Sequence, residues 1–316
     1  MAERKHTDQE IIDAVQTHGS YSAAARALGV DPRGVSNRSK RLACVQASLV
    51  FPPPAASASS PAVISLPVND GMVIIGSDAH YWPGSPSTAH SAFVRTIREL
   101  EPHTVILNGD VFDGAAVSTH ASLGWEKRPT VAEELAVCQE RLAEIVAAGT
   151  PVTELIWTMG NHDMRYETFL ANNAPEYRNV TGIHLKDHFP AWRPAWRVNF
   201  GNICAVQHRW KSGAGAGRNN TLASGRSFIT GHDHQLQVTP FTDLNGTRWG
   251  VQGGTLAVPF GPQFINYTET TPVNWRSGFV VLTFLDGRLL EPEVVAVVSE
   301  KERLTSFRGQ ISQEAE

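Results

Sequence analysis

The stretch VIIGSDAH, residues 73–80, is an apolar run that turns abruptly into a carboxylate, a small residue and an imidazole. With Met72 ahead of it, four apolar residues stand in a row and three are β-branched, which reads as a strand buried on both faces. Side chains two apart on an extended chain point to the same side, so Asp78 and His80 converge just beyond the sheet edge. Such a pair is a metal-ligand pair, a catalytic pair or two ordinary loop residues. The rest of the chain has to decide.

The pattern recurs. TVILNGD (104–110) runs into Asp110, with Asp113 three residues on. ELIWTMGNHD (154–163) runs into Asn161, His162 and Asp163, ICAVQH (203–208) ends in His208, and SFITGHDH (227–234) ends in His232 and His234. Open α/β sheets bind ligands at the carboxyl ends of their strands, so these groups should gather in space. Strand candidates are thus 72–77, 104–108, 154–159, 203–207 and 227–230, with helices over 87–100 and 130–148 at apolar 3.6-residue spacing. Later apolar segments (WRVNF, LQVTPF, TRWGVQ, FVVLTFL, PEVVAVV) read as further strands. The fold expected is α/β (α+β), with two packed mixed β-sheets flanked by helices and a small all-α domain in front.

The ordered set D-x-H, G-D-x-x-D, G-N-H-D, a lone His and G-H-x-H resembles the calcineurin-like metallophosphoesterases over roughly residues 72–240. The stretch GNHDMRYETFLANNAPEY also looks like the bacteriophage and bacterial members. The resemblance implies that Asp78, His80 and His234 hold one metal, that Asn161, His208 and His232 hold a second, and that Asp110 bridges both. Arg209 follows His208 where the family commonly carries glycine. Two divalent ions are implied; imidazole and carboxylate ligands together suit Mn²⁺ best, with Fe, Zn²⁺, Ni²⁺ or Mg²⁺ as alternatives. The implied reaction is hydrolysis of a phosphoester by a metal-bridging hydroxide, with His162 either protonating the leaving oxygen or stabilising the equatorial charge and Asp113 orienting it. Asp163 is read as a turn cap. Arg165 is placed either on a substrate phosphate or on an exposed helix face. Lys211 and Arg218, in the Gly-rich stretch 211–226, are assigned to a mobile loop over the site that grips a polyanion, with a plain surface loop as the alternative. Trp192, Trp196 and Trp210 are read as packing, with stacking on a base as the alternative.

Ahead of this region, Ile11, Ile12 and Val15 mark a helix over 8–18, opened by Thr7 with Glu10 three residues on and closed by Gly19. A second helix ends at Gly29, and a third starts near Pro32. Three short helices resemble a helix-turn-helix module over residues 1–43. The third helix offers Arg33, Arg38, Lys40 and Arg41 to phosphates, and Ser36 and Asn37 to base edges. Residues 44–70, with FPPPAASASSPA, read as a Pro/Ala/Ser-rich linker, 71–300 as the phosphoesterase domain and 301–316 as a polar tail.

The 316 residues carry 27 Lys and Arg against 31 Asp and Glu, a balance of −4, so any nucleic-acid attraction must be local. Three scattered cysteines without finger spacing read as free thiols. With no apolar leader and no run of ~18 apolar residues, a cytoplasmic protein away from membranes is expected. The basic module favours a nuclease or phosphodiesterase acting on DNA or RNA. A phosphomonoesterase and a DNA-binding regulator with an inactive phosphoesterase domain are the alternatives. A homodimer is expected by analogy with helix-turn-helix proteins.

Overall fold

The computed structural model describes residues 6–18, 20–33, 35, 62–120, 125–268 and 271–315. The chain separates into two compact units, Met1–Ser60 and Pro61–Glu316.

In the first unit, helices span Asp8–His18 and Tyr21–Leu28. Thr7 and Glu10 cap the first reciprocally: the Thr7 N–H donates to Glu10 Oε2 at 2.7 Å and the Glu10 N–H donates to Thr7 Oγ1 at 3.3 Å. Ser20 caps the second helix, and Gly29 closes it at φ 64°. Pro32, Arg33 and Val35 are helical again. Ile11, Val15, Ala24, Ala25 and Val35 form a small apolar centre. Arg33 is exposed. Ser36, Asn37, Arg38, Lys40 and Arg41, assigned to nucleic acid, lie outside the described residues, as does the 44–61 part of the expected linker.

The second unit is built on strands β1 (Ala62–Leu66), β2 (Gly71–Ser77), β3 (Thr104–Asn108), β4 (Glu154–Thr158), β5 (Arg193–Phe200), β6 (Cys204–Val206) and β7 (Ser227–Thr230). They are followed by β8 (Leu236–Asp243), β9 (Gly246–Gly253), β10 (Gly278–Leu285), β11 (Arg288–Leu289), β12 (Glu293–Ser299), β13 (Leu304–Phe307) and β14 (Gln310–Gln313). Strands β2 to β5 pair in parallel, and helices Thr88–Leu100 and Val131–Ala148 make the first two crossovers. Both helices open on hydroxyl caps, Ser87 and Thr130, the latter in a capping box with Glu133.

Side chains alternate across the sheet. Ile74, Val105, Leu107 and Trp157 pack beneath the helices, against Phe93, Ile97, Leu142 and Ile145. Val73, Ile75, Ile106 and Ile156 point the other way, onto Val206, Ile229 and Val251. The two mixed layers anticipated from sequence are thus present as facing halves, but hydrogen bonding joins the described strands into one sheet along β14-β13-β12-β10-β2-β3-β4-β5-β6-β7-β9-β8, with β1 added on β5 and β11 on β10. Its turns bring the two apolar faces together.

Two expected boundaries shift. Residues 62–66, assigned to the linker, form β1 and pair in parallel with β5, because Ile64 is buried in the sheet-on-sheet cluster and Leu66 packs against it. Residues 304–313, assigned to a polar tail, form the β13–β14 hairpin. Arg308 and Gly309 both take positive φ (49° and 76°), the backbone that a tight hairpin turn demands. Glu314 is then buried, accepting from Arg95 at 2.9 Å and from Thr305 Oγ1 at 2.6 Å. Among the described residues, no helix is long and apolar enough to cross a membrane.

Candidate active site

The carboxyl ends of β2, β3, β4, β6 and β7 bring the sequence-selected groups together. Asp78, His80 and His234 offer ligand atoms within 4.8 Å of one another, as do Asp110, His208 and His232, and also His80, Asp113 and His162. Asn161 joins the second group, its Oδ1 3.3 Å from His208 Nε2. Asp110 stands between: its Oδ2 is 3.2 Å from His208 Nε2 and 3.8 Å from His80 Nε2.

The backbone is bent to achieve this. Nine described non-glycine residues have positive φ, and Asp78, His80, Asp110, His232 and His234 are five of them. Such conformations cost on the order of 1–3 kcal/mol each and persist only where the surroundings impose them. Two glycines make room. A methyl group on Gly160 would overlap Asp110 Oδ1, and one on Gly109, which also sits at φ 79°, would overlap the His208 ring. The glycines before the polar residues therefore serve ligand packing as much as turning.

Asp163 is the residue that sequence reading undervalued. Its Oδ2 accepts from the Asp110 N–H (2.9 Å), the Gly160 N–H (2.8 Å) and the Trp157 indole (3.1 Å). Its Oδ1 accepts from the Val111 and Phe112 N–H groups, both at 3.0 Å. One buried carboxylate thus ties the G-D loop to the G-N-H-D loop and sets where Asp110 points. Burial and the adjacent Asp110 charge push its carboxyl up to about 6, against the pull of the Gly160 and Phe112 amides.

Asp113 does more than orient His162. Its Oδ1 lies 2.7 Å from His80 Nδ1 and 3.1 Å from His162 Nδ1. Burial alone would raise this carboxyl, but bonds from His162 and His80 hold it below its ordinary value. As a carboxylate it can only accept, so both rings carry a proton on Nδ1 and turn Nε2 toward the site. His208 is fixed the same way, with Nδ1 2.8 Å from the Asn108 carbonyl.

This orientation tests whether cations fit. His80 Nε2 faces His234 Nε2 at 3.2 Å, and Asp78 Oδ1 lies 3.3 Å from the same His234 atom. The Nδ1 of His234 is buried with no hydrogen-bond partner among the described residues, so the ring's polar contacts run through Nε2. His208 Nε2 faces two oxygens, of Asp110 and Asn161. Lone pairs converge on two points, the signature of cation sites, and the mixed N and O donors suit divalent transition ions. A proton competes there. Burial opposes it, but the charges of Asp110 and Asp78 push His208 up to about 10. Burial and the neighbouring His208 cation push His232 down to about 4.

His162 lies at the rim of the cluster, its ring 4.6 Å from that of His80. Burial lowers its pKa, but the Asp110 charge and the Asp113 bond outweigh it and leave it raised. Arg165 faces the site: its Nη1 donates to the Asp113 carbonyl at 3.3 Å, and its Nη2 lies 3.0 Å from His162 Nε2. Phe264 and Trp275 form an aromatic wall on His234, at 5.1 and 4.4 Å between ring centres. No local sequence signal marked that wall.

The Gly-rich stretch differs from expectation. Residues 216–224 form a helix whose Ala216 and Gly217 are buried, Gly217 lying so close to Gly250 that a side chain there would collide with it. Arg218 sits over the Phe241 ring at 5.9 Å and is not among the groups gathered at the strand ends. Lys211 is exposed, its backbone held by Asn220. Small residues made the segment look like a loop; their real use is close packing of helix on strand.

Residues 72–247 match the calcineurin-like phosphoesterase family. Solved structures similar to the chain include a dimetal phosphatase from Danio rerio, 11% identical over 78% of this chain and 99% of its own, with a TM-score of 0.38. Among proteins of curated function, none matches significantly. The family match spans more than half of the sequence, so the chain belongs to the calcineurin-like phosphoesterase family.

Proposed function

We propose that this calcineurin-like phosphoesterase hydrolyses phosphodiester bonds of nucleic acid as a metal-dependent nuclease. The observation that carries the hydrolytic reading is the position of Asp110, whose Oδ2 faces both imidazole groups, at 3.2 Å from His208 and 3.8 Å from His80. Asp78, His80 and His234 would hold one divalent ion and Asn161, His208 and His232 the other, with Asp110 serving both; Mn²⁺ is the proposed occupant. When bound, such a pair supplies an ionised water near neutral pH and neutralises phosphoryl charge.

The chain's own residues position and move protons. Asp113 accepts from His162 Nδ1 and leaves Nε2 as the atom that gives its proton to the departing oxygen. Burial opposes the protonated ring, but the Asp110 charge and the Asp113 bond favour it and raise its pKa. Arg165 donates to Nε2 only while Nε2 lacks a proton, so acid catalysis requires the guanidinium to leave this contact for a phosphoryl oxygen. Arg165 thus binds substrate as His162 becomes protonated.

Two features support nucleic acid as the substrate. Arg26, Arg33, Arg38, Lys40 and Arg41 crowd a short N-terminal segment of an otherwise acidic chain, and a Pro/Ala/Ser-rich stretch separates it from the phosphoesterase unit. A tether of that kind raises the effective concentration of a hydrolase on a polynucleotide. The test is Mn²⁺-dependent cleavage of single-stranded DNA, duplex DNA and RNA oligonucleotides beside nitrophenyl phosphate. Strand cleavage is expected. Rapid phosphomonoester turnover with intact oligonucleotides would instead establish the phosphatase reading.

A further inference from the structure

A cavity of about 570 Å³ opens from the Asn161 and His208 side of the cluster, within the range of roughly 300–1,000 Å³ usual for small-ligand sites. None of the groups discussed so far accounts for it. Arg165 bounds it on the catalytic side, and Phe169, Asn172, Trp196, Gln207 and Arg209 line it further out. Trp196 is 36% exposed and Phe169 45%, high values for large rings in a concave wall.

The lining has a definite chemical character. Among the described residues, two arginines and no carboxylate line the cavity, which favours an anionic ligand and disfavours an amine. Gln207 uses one amide hydrogen on the Arg209 carbonyl at 2.9 Å, leaving its oxygen and second hydrogen for a ligand. Amides of this kind pair with the donor and acceptor edges of bases, while aromatic rings stack on their faces. An acyl chain would bury the Gln207 amide oxygen against a surface that offers it no donor.

We propose that this cavity seats an unpaired nucleobase of the nucleotide whose phosphate lies at Asp110. The base stacks on Trp196, with Phe169 completing the apolar wall and Gln207 and Asn172 reaching its polar edge. Arg209, where the family commonly has glycine, meets the next phosphate of the strand. A base inside a duplex cannot enter such a pocket without leaving its stack, so the site selects single strands, ends or loops. The inference rests on the nucleic-acid reading above and adds the part of the strand that is gripped.

The experiment compares two diesters with one leaving group, the nitrophenyl ester of thymidylate and methyl nitrophenyl phosphate, using the full-length Mn²⁺-loaded chain. Trp196→Ala should lower kcat/KM on the thymidylate ester by between about 5- and 150-fold, the range for losing one base–aromatic stack. It should leave the methyl ester within about two-fold, and Trp196→Phe should restore most of the loss, since a phenyl face also stacks. Calorimetric titration with thymidylate should show the same weakening by Trp196→Ala. Equal losses on both esters, or none on either, overturn the inference. A loss on the thymidylate ester without one on single-stranded oligothymidylate overturns the assignment to a strand. If the unaltered enzyme cleaves no diester while hydrolysing nitrophenyl phosphate, the nucleic-acid reading fails and this inference falls with it. Oligonucleotide cleavage by the unaltered enzyme, with both it and thymidylate-ester turnover indifferent to Trp196, sinks the base site alone.

Discussion

Replacing Asp163 by asparagine removes one oxygen from a carboxylate that holds five donors. Oδ2 accepts from three N–H groups and Oδ1 from two. In the better orientation, the amide oxygen keeps the three and the new NH₂ group faces the Val111 and Phe112 amides, donor against donor. Each lost bond to a charged acceptor is worth about 1.5–3 kcal/mol, so Asp163→Asn should cost about 3–6 kcal/mol. For a unit of this size, 1 kcal/mol moves the melting temperature by roughly 2–4 °C. A fall of about 6–24 °C is therefore expected by calorimetry. Trp157 is a built-in reporter, because its indole N–H bonds the same carboxylate. Turnover should also drop by about 10- to 100-fold, as for loss of other groups that orient metal ligands. A variant melting within about 2 °C of the parent, with unchanged turnover, would refute the claim that this side chain sets the Asp110 loop.

Two further outcomes follow from the site. His162→Gln should lower kcat by about 100- to 10,000-fold on oligonucleotides, whose leaving alkoxide needs a proton. A nitrophenolate leaving group needs far less help, so losses of equal size on a nitrophenyl diester would contradict the assigned proton transfer. The second concerns pH and metal. His208 is pushed up to about 10, so across the neutral range its proton must leave before a cation binds. Metal affinity should rise with pH below about 10, by about ten-fold per unit for each proton released. In the metal-free chain the sign reverses: the raised pKa contributes stability fully present below the ordinary value of 6.5 and lost as pH climbs toward 10. Competition with a chelating dye reads the first, and metal-free denaturation curves read the second. A pH-independent affinity would discard the proton-for-metal exchange.

Much of this molecule was legible in one dimension because its key elements are local. A buried parallel strand is a short β-branched run, and its register is visible wherever the run ends on a polar residue. The predicted 104–108 and 227–230 strands coincide with β3 and β7 for that reason. The side chains proposed as metal ligands follow directly, since each sits one to four residues beyond a strand end. What the order of residues left undecided is whatever depends on partners distant along the chain. Asp163 looks like any turn-capping carboxylate until five donors from two loops meet it. The 211–226 stretch looks like a loop because its glycines weaken any helix signal, and only the Gly250 backbone opposite explains Gly217. The terminal hairpin has few apolar residues and β1 directly follows the Pro/Ala/Ser run, so neither declares itself; both gain their stability from pairing and from the docking of Glu314 and Ile64. Local burial patterns are written along a sequence; complementarity between remote surfaces, including the cavity beside His208, exists only after folding.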